Sequence, residues 1–395
     1  MKTWWHRHGA KPLLILLLAL PALTAFLPGG AMTGEQRKLA APPALPHTWP
    51  GAVQYTAQLE AWVNDHFGMR ERLVAFNNRI RYALFRQFPT QQVIEGQEGR
   101  IFLAAHQKTD KPYSAIIEAF GGLNDAAAVM IDDLNAFEAA SRAHGVQARV
   151  VIVPSSPAVH VKQLPPWLAR RYQDVPIPAM RALDAPTLQA SIRHRVYVPF
   201  REMRADAEQF DVFPRAWFHW SGTGPRKVAG YVMENLFGES ATTGTAPKTT
   251  FKDMPSDLSH MFPGVSRSSR FEQIDYAASG IDACLGPSCF GALEPIMAKL
   301  YQMAIFRNPA ATRGRLVFIT DSFGMPAAPW YARYYKEVLL FSTNNFDRLN
   351  AAEMAQVRAL LFRPQAHDDV LFLYHDVTVY SGRIGEDGRA LFPPH

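Results

Sequence analysis

The chain has 395 residues, 48% hydrophobic and 19% charged, with 25 Gly, 30 Pro and 2 Cys. This composition excludes a collagen-like repeat, a disulfide-rich miniprotein and a disordered chain, and the length suffices for one large or two ordinary domains. Lys and Arg total 41 against 35 Asp and Glu, a net charge of +6 with no basic run, so nucleic acid is not an expected partner. Attraction to an anionic polymer or membrane surface stays open.

Lys2, Arg7 and Lys11 precede residues 12–27, sixteen positions without a charge. That length lies between the core of a signal peptide and a full membrane span. Residues 1–30 therefore read as a signal peptide or a membrane anchor, and the basic flank places the rest of the chain away from the cytoplasm. Residues 31–51, with several Pro and Ala, read as a linker.

Leu59, Trp62, Val63, Phe67, Leu73, Phe76, Ile80, Leu84 and Phe88 recur mostly at three or four, with an interruption at Gly68. This predicts two amphipathic helices or one kinked helix. Residues 93–103, with Gly96 and Gly99, predict a hairpin. Residues 126–144 predict a helix with Val129, Leu134 and Phe137 inward. Residues 149–153 and 196–200 predict strands, 227–237 a helix, 240–250 a loop and 293–306 a helix. Cys284 and Cys289 are expected to pair around Gly286 and Pro287 in an oxidising compartment, since metal binding needs more ligands. Residues 315–320, 337–342 and 369–374 predict interior strands. Apolar strands joined by crossover segments imply a parallel sheet covered on both faces, with a site beyond the strands' carboxyl ends.

Two stretches could carry chemistry. In residues 315–326, RLVFITDSFGMP, a buried strand runs into Asp321 and Ser322. A hydroxyl there lies beside turn N–H groups that can stabilise an oxyanion, provided a base is near; the plainer alternative is a helix cap. In residues 216–225, AWFHWSGTGP, His219 stands just ahead of a helix, as a general base could; a histidine among aromatics can equally be structural.

Together these stretches resemble a known family. Ser322 in TDSFG is similar to the Gly-Asp-Ser block of SGNH hydrolases. His219 and Trp220 are similar to the Asp-x-His-Trp block of the AlgX/AlgJ type of SGNH-like polysaccharide O-acetyltransferases, in which the acid and histidine precede the serine. WVNDHFGMR at 62–70 resembles that family's amino-terminal helix motif. IEGQEGRIF at 94–102 resembles its Gly-x-x-Gly-Trp-Leu-Phe hairpin, with Arg100 in place of Trp. The resemblance covers most of the chain from Gln54 onward. It implies an α/β fold: an SGNH-like, flavodoxin-like parallel sheet with helices on both faces, preceded by an N-terminal helical arm. The division expected is arm and hairpin over 52–112 and the SGNH hydrolase-like domain over 113–395.

Two positions depart from the family's pattern. Trp217 stands where the acid is usual, and Thr320 where SGNH blocks have Gly. An indole cannot orient an imidazole as a carboxylate does. Asp211, Asp206 and Glu202 are candidate replacements, Asp211 being nearest, so the expected catalytic set is Ser322, His219 and Asp211. His375 is a rival base. Asn344 and Asn345 could add an oxyanion donor, and Arg348 could meet a carboxylate or acyl oxygen, though loop and surface roles suit them equally. Asp65 and His66 fall in the structural helix. No phosphate loop, dinucleotide fingerprint or metal-ligand pattern occurs, so no metal or cofactor is expected.

The resemblance implies periplasmic O-acetylation of an exopolysaccharide, alginate-like or other. Ser322 would carry the acetyl group, and a membrane-bound O-acyltransferase partner would supply it. The N-terminal segment would contact the inner membrane. An acetyl esterase with the same site, and a non-catalytic glycan-binding or assembly subunit of an acetylation complex, are the alternatives; Trp217 favours the last.

Overall fold

A computed structural model describes residues 40–66, 70–122, 125–363 and 367–394, together with Lys11 and Ile15. The apolar segment at 12–27, read as a signal or anchor, lies outside the described residues apart from Ile15. Among the described residues no helix is long and apolar enough to cross a membrane.

The chain forms two compact units. The smaller ends at Pro89 and includes Phe262–Ser266. It holds α1 (Trp49–His66) and α2 (Arg70–Phe85), the helices expected from the spacing. Phe88 packs on Phe262 with ring centroids 4.8 Å apart, and the Asn78 side chain donates to the Pro263 carbonyl at 2.9 Å. Much of the predicted inward stripe is exposed, Phe76 by 62% and Leu84 by 69%. The described part of this unit is two helices and one short segment, too little to cover such a stripe.

The larger unit begins at Thr90. Its first element is the hairpin of β1 (Val93–Glu95) and β2 (Ile101–Leu103), paired Ile94 to Phe102. The hairpin thus belongs to this unit, not to the arm with which the sequence grouped it. The reason is local: the Ile101 amide donates to the Arg215 carbonyl at 2.7 Å, and Phe102 is buried in the core.

The remaining strands are β3 (Ala148–Val153), β4 (Val196–Tyr197), β5 (Thr249–Pro255), β6 (Ser268–Ile274), β7 (Asp282–Leu285), β8 (Met303–Arg307), β9 (Arg313–Thr320), β10 (Tyr335–Ser342) and β11 (Asp369–His375). Strands β5 and β6 form a separate antiparallel ribbon. The main sheet has the order β4-β3-β11-β9-β10-β8-β7. The first five of these are mutually parallel, whereas β8 and β7 extend the edge through antiparallel pairing.

Counted from the N-terminus, the parallel strands lie in the order 2-1-5-3-4, which is not flavodoxin-like. Counted from β9, they follow as β9, β10, β11, β3 and β4, and the order becomes 2-1-3-4-5. The sheet is therefore a circular permutation of the flavodoxin-like arrangement. In that counting β9 is the first strand, with successive strands leaving on both sides of it. The crevice at its carboxyl end is where a ligand is expected in such sheets.

Alternation along the strands builds two cores. Val150, Ile152, Val317, Ile319, Phe372 and Tyr374 face α3 (Ala126–Ala143), α5 (Ala351–Leu361) and α6 (Arg383–Leu391). Val151, Val153, Leu316, Phe318, Leu371 and Leu373 face α4 (Thr223–Phe237), Trp330 and Tyr331. The Asp125 side chain caps α3 by accepting from the Ala128 amide, and Asn350 with Glu353 forms a capping box on α5.

Three sequence expectations are corrected. Val129 is 40% exposed, and Met130 and Ile131 turn inward in its place. The helix expected over 293–306 is only Glu294–Met297, and Met303–Arg307 is strand β8. Met303 to Phe306 is a continuous buried apolar run between β10 and β7, a pattern that periodicity cannot assign. The region after 248, read as loop up to 250, instead begins the ribbon of β5 and β6. The largely exposed residues of β5 carry no strong strand signal.

Cys284 on β7 is bonded to Cys289 in the following turn, Cα atoms 5.7 Å apart. The two lie only five positions apart, so replacing both by serine should lower the unfolding free energy by at most about 2–3 kcal/mol. Urea denaturation of the variant checks this, and a larger loss would give the bridge a wider structural role.

Candidate active site

Strand β9 ends at Thr320, and the next carboxylate, Asp321, is 1% exposed. Its Oδ1 accepts from the Phe323 amide at 2.9 Å. Its Oδ2 accepts from the His375 amide at 2.8 Å and the Thr378 hydroxyl at 2.7 Å. Burial raises the pKa of this carboxyl despite those donors. The turn it organises leaves Ser322 half-buried, and among the described residues the Ser322 amide has no hydrogen-bond acceptor. That N–H is free to serve an oxyanion.

Thr320, the residue in the family's Gly position, donates through its hydroxyl to the Leu373 carbonyl at 2.6 Å, joining β9 to β11. The room for it comes from Gly324. A Cβ there would lie 2.1 Å from Thr320 Cγ2, so the turn tolerates Thr320 because residue 324 has no side chain.

His219 faces this turn. Its Nε2 lies 3.1 Å from Ser322 Oγ, and its Nδ1 lies 2.9 Å from Asp257 Oδ2. Asp257 also accepts from the His219 amide at 2.9 Å and, through Oδ1, from the Phe218 amide at 2.9 Å. With Nδ1–H donated to Asp257, Nε2 is the lone-pair nitrogen and accepts the Ser322 hydroxyl. Trp220 completes the link: its indole N–H donates to the Phe323 carbonyl at 2.7 Å, tying the histidine loop to the serine turn. Ser256 donates to the Ala216 carbonyl, and the Ala216 amide donates to Ser269 Oγ at 2.9 Å. The histidine loop is therefore clamped to the ends of the β5–β6 ribbon.

The structure thus brings Ser322 and His219 together and puts Asp257 where Asp211 was expected. Asp211 is committed elsewhere, 2.6 Å from Arg100 and 3.0 Å from Arg215. Arg100 is fully buried, also donating to Gln163 at 2.5 Å and to the Phe213 carbonyl at 2.8 Å. Burial lowers its pKa to about 10, so it holds Asp211 as its counter-ion. Asp206 accepts from the Tyr231 hydroxyl at 2.9 Å, and neither it nor Glu202 bonds His219. Trp217 packs edge-on against Phe271, centroids 5.0 Å apart.

Among the described residues His375 makes no hydrogen bond to Ser322. It is buried, stacks on Phe323 at 4.1 Å, and burial holds its pKa well below the usual histidine range. Asn344 and Asn345 start the turn after β10, where the neighbouring Thr343 amide donates to the Thr320 carbonyl at 2.8 Å. Arg348 is exposed, and Asp65 accepts from the Ala40 amide at 2.8 Å within the smaller unit. The side chain of His66 lies outside the described residues.

Asp257 lies 38 residues after His219, in the connection between two strands that the sequence did not reveal. The one available signal was a carboxylate between two turn-forming serines, Ser256 and Ser259, too common to single out.

No family model matches the chain, and no curated protein matches it. Solved structures similar to it include Bacillus cereus PatB1, at 12% identity over 73% of this chain and 96% of that one, TM-score 0.46. A DHHW family protein from Eubacterium siraeum is 14% identical over 68% of this chain and 89% of that one, TM-score 0.45. The O-acetyltransferase domain of Pseudomonas putida AlgJ is 13% identical over 73% of this chain and 92% of that one, TM-score 0.38.

Beneath the site, Asp376 is fully buried and accepts from the Ser155 amide at 3.1 Å and hydroxyl at 3.3 Å. Burial raises its pKa from 3.8 to about 7. A raised folded-state value means that its protonated form favours folding. That contribution is complete below 3.8 and is lost as pH rises through about 7. Unfolding free energy should fall across this interval, and Asp376→Asn should flatten that part of the profile. Denaturation curves at several pH values check this, and an unchanged slope in the variant rejects it.

Proposed function

We propose that the protein is an exported polysaccharide O-acetyltransferase that works through an acetyl ester on Ser322, on a permuted SGNH-like domain preceded by a helical arm. The observation that carries this reading is the unbroken array Asp257–His219–Ser322, with links of 2.9 and 3.1 Å. The motif order of the sequence supplies the substrate class.

In the first half-reaction His219 Nε2 takes the Ser322 proton as Oγ attacks the acetyl carbonyl of the donor. The tetrahedral oxyanion forms beside the Ser322 amide. Collapse breaks the bond to the donor oxygen, which leaves with the proton now on His219. In the second half-reaction His219 deprotonates a sugar hydroxyl, which attacks the acetyl-serine. Ser322 then leaves and recovers the proton. Asp257 remains ionised throughout, fixing the imidazole tautomer and offsetting the imidazolium charge.

Residues 1–30 support export to the periplasm, with that segment at the inner membrane. A membrane-bound O-acyltransferase is the donor partner in this reading. The reason for a non-catalytic subunit was the missing acid at Trp217, and the Asp257 carboxylate 2.9 Å from His219 Nδ1 supports the enzyme reading instead.

Intact-mass analysis after incubation with an aryl acetate tests the proposal. The wild type should gain one acetyl group and Ser322→Ala none, and acetylation of the folded Ser322→Ala protein would reject it. Aryl acetate turnover should fall by roughly 10²–10⁴ in His219→Ala and by up to about 10⁴ in Asp257→Asn. Asp211→Asn should leave turnover nearly unchanged while costing on the order of 1–2 kcal/mol of stability, since the half-exposed carboxylate is partly screened. Retained turnover in Asp257→Asn with loss in Asp211→Asn would return the acid role to Asp211.

A further inference from the structure

Residues 111–114 form a turn in which the Ser114 amide donates to the Lys111 carbonyl at 3.1 Å. Pro112 holds the second position and Tyr113 the third, with φ 64° and ψ 14°. These angles are close to those of a type II turn, whose third position normally carries glycine or asparagine. A tyrosine there is strained. Its half-buried ring rests partly on the main core, which offsets some of that strain, but its hydroxyl makes no hydrogen bond among the described residues. The ring also meets Trp167 edge-on, centroids 5.1 Å apart. Trp167 is 48% exposed, more than any other described tryptophan of the larger unit. The strained turn thus supports an indole that water still reaches, and burial alone does not account for such an arrangement. Backbone strain of this kind collects at ligand contacts.

Trp167 lies in the helix Pro166–Tyr172, and Arg170 and Arg171 follow it by three and four positions, so all three share one face. Both arginines are exposed, and among the described residues neither pairs with a carboxylate. The Arg171 guanidinium lies over the Tyr172 ring at 5.6 Å, which leaves its N–H groups free. The acids nearest in the chain are engaged elsewhere. Asp174 stands in the field of Arg204, whose pKa burial lowers and Asp174 raises. Glu118 lies 3.0 Å from His106, and Asp110 accepts from the Gln107 amide at 2.7 Å. A sugar ring can lay its C–H face on the open indole, and a carboxylate on that sugar matches the fork of guanidinium donors. A lipid surface fits less well, because it needs a continuous apolar face, and Leu168 and Ala169 beside Trp167 are buried.

We propose that Tyr113, Trp167, Arg170 and Arg171 form a docking platform for a carboxylate-bearing polysaccharide strand, separate from the catalytic array. The inference rests on the polysaccharide reading above for the platform's purpose, but the binding itself does not involve Ser322. Trp167 supplies the stacking surface, Tyr113 holds that indole in place and offers a free hydroxyl, and the two arginines select for charge.

The test uses the full chain carrying Ser322→Ala, so that no acetyl transfer intervenes. Calorimetric titration compares hexagalacturonate and hexamannuronate with neutral maltohexaose, and co-sedimentation uses phosphatidylglycerol vesicles. At least one hexauronate should bind saturably, more tightly than maltohexaose and less tightly as salt rises. Trp167→Ala should weaken that binding by about tenfold or more, and Trp167→Phe should restore most of it. Arg170→Gln combined with Arg171→Gln should abolish the preference over maltohexaose. Tyr113→Gly, which the turn accommodates, should weaken binding while the protein stays folded. Absence of saturable binding by both hexauronates would overturn the proposal, as would equal affinity for maltohexaose or affinity untouched by Trp167→Ala. Vesicle binding that is lost in Trp167→Ala, with no hexauronate bound, would assign the face to a membrane instead and overturn it too. Failure of the wild type to form an acetyl-serine would remove the acyl-transfer reading and leave the titrations to decide the platform.

Discussion

A carboxylate almost without solvent, Asp321, holds the carboxyl end of β9, and the site is assembled around it. Removing such a group from water costs several kcal/mol, and each charge-assisted hydrogen bond returns about 1.5–3 kcal/mol. Three donors meet it: the amides of Phe323 and His375 and the hydroxyl of Thr378. Its pKa is nevertheless raised, so burial outweighs the donors. The consequence is a rigid turn. Phe323 is fixed by Asp321 and offers its carbonyl to Trp220, and that bond sets the distance between the histidine loop and the serine. The Ser322–His219 contact is thus inherited from a buried carboxylate whose own hydrogen bonds go to Phe323, His375 and Thr378.

The permuted sheet explains why His219 and Ser322 occur in the order they do. In the 2-1-3-4-5 counting, Ser322 follows the first strand and His219 follows the fifth, separated by nearly the whole domain. In the chain the same two crevice edges are joined through the β5–β6 ribbon, the β7–β8 edge and β9, so the histidine precedes the serine. The ribbon is inserted where a permuted chain must travel from the last parallel strand to the first. It contributes Asp257, the partner of His219 Nδ1.

The interior of the fold was legible because burial on both faces leaves strong marks. The runs at 149–153, 315–320, 337–342 and 369–374 all fall within parallel strands, and Ser322 drew notice just past such a strand, whereas His219 drew notice as a histidine just ahead of a helix. What failed was of two kinds. The run at 303–306 is equally apolar as helix or strand, and only the vacant edge beside β10 decides between them. The β5–β6 ribbon lies outside the main sheet and β5 is largely exposed, so neither periodicity nor hydrophobicity announced it, and Asp257 was lost with it. Proximity in sequence then favoured Asp211, although a carboxylate near in sequence is no nearer in space once a loop turns away.

Arg100 and Trp217, two residues at which the sequence departs from the pattern it resembles, are physically separate and chemically compatible. Arg100, in the hairpin position where Trp is usual, is a buried cation that needs a counter-ion, and Asp211 meets that need at 2.6 Å. A carboxylate so engaged cannot also orient an imidazole. Trp217, in the usual acid position, buries its ring against Phe271 and would gain nothing from facing His219. The imidazole requires only an acceptor at Nδ1 held rigidly enough to fix its tautomer, and the chain position of that acceptor is immaterial. Asp257 meets the requirement more firmly than a lone contact would, because two backbone amides of the histidine loop bind the same carboxylate. The loop cannot shift without breaking both. A carboxylate drawn from a distant ribbon therefore holds His219 through the backbone as well as the ring, although residue 217 carries none.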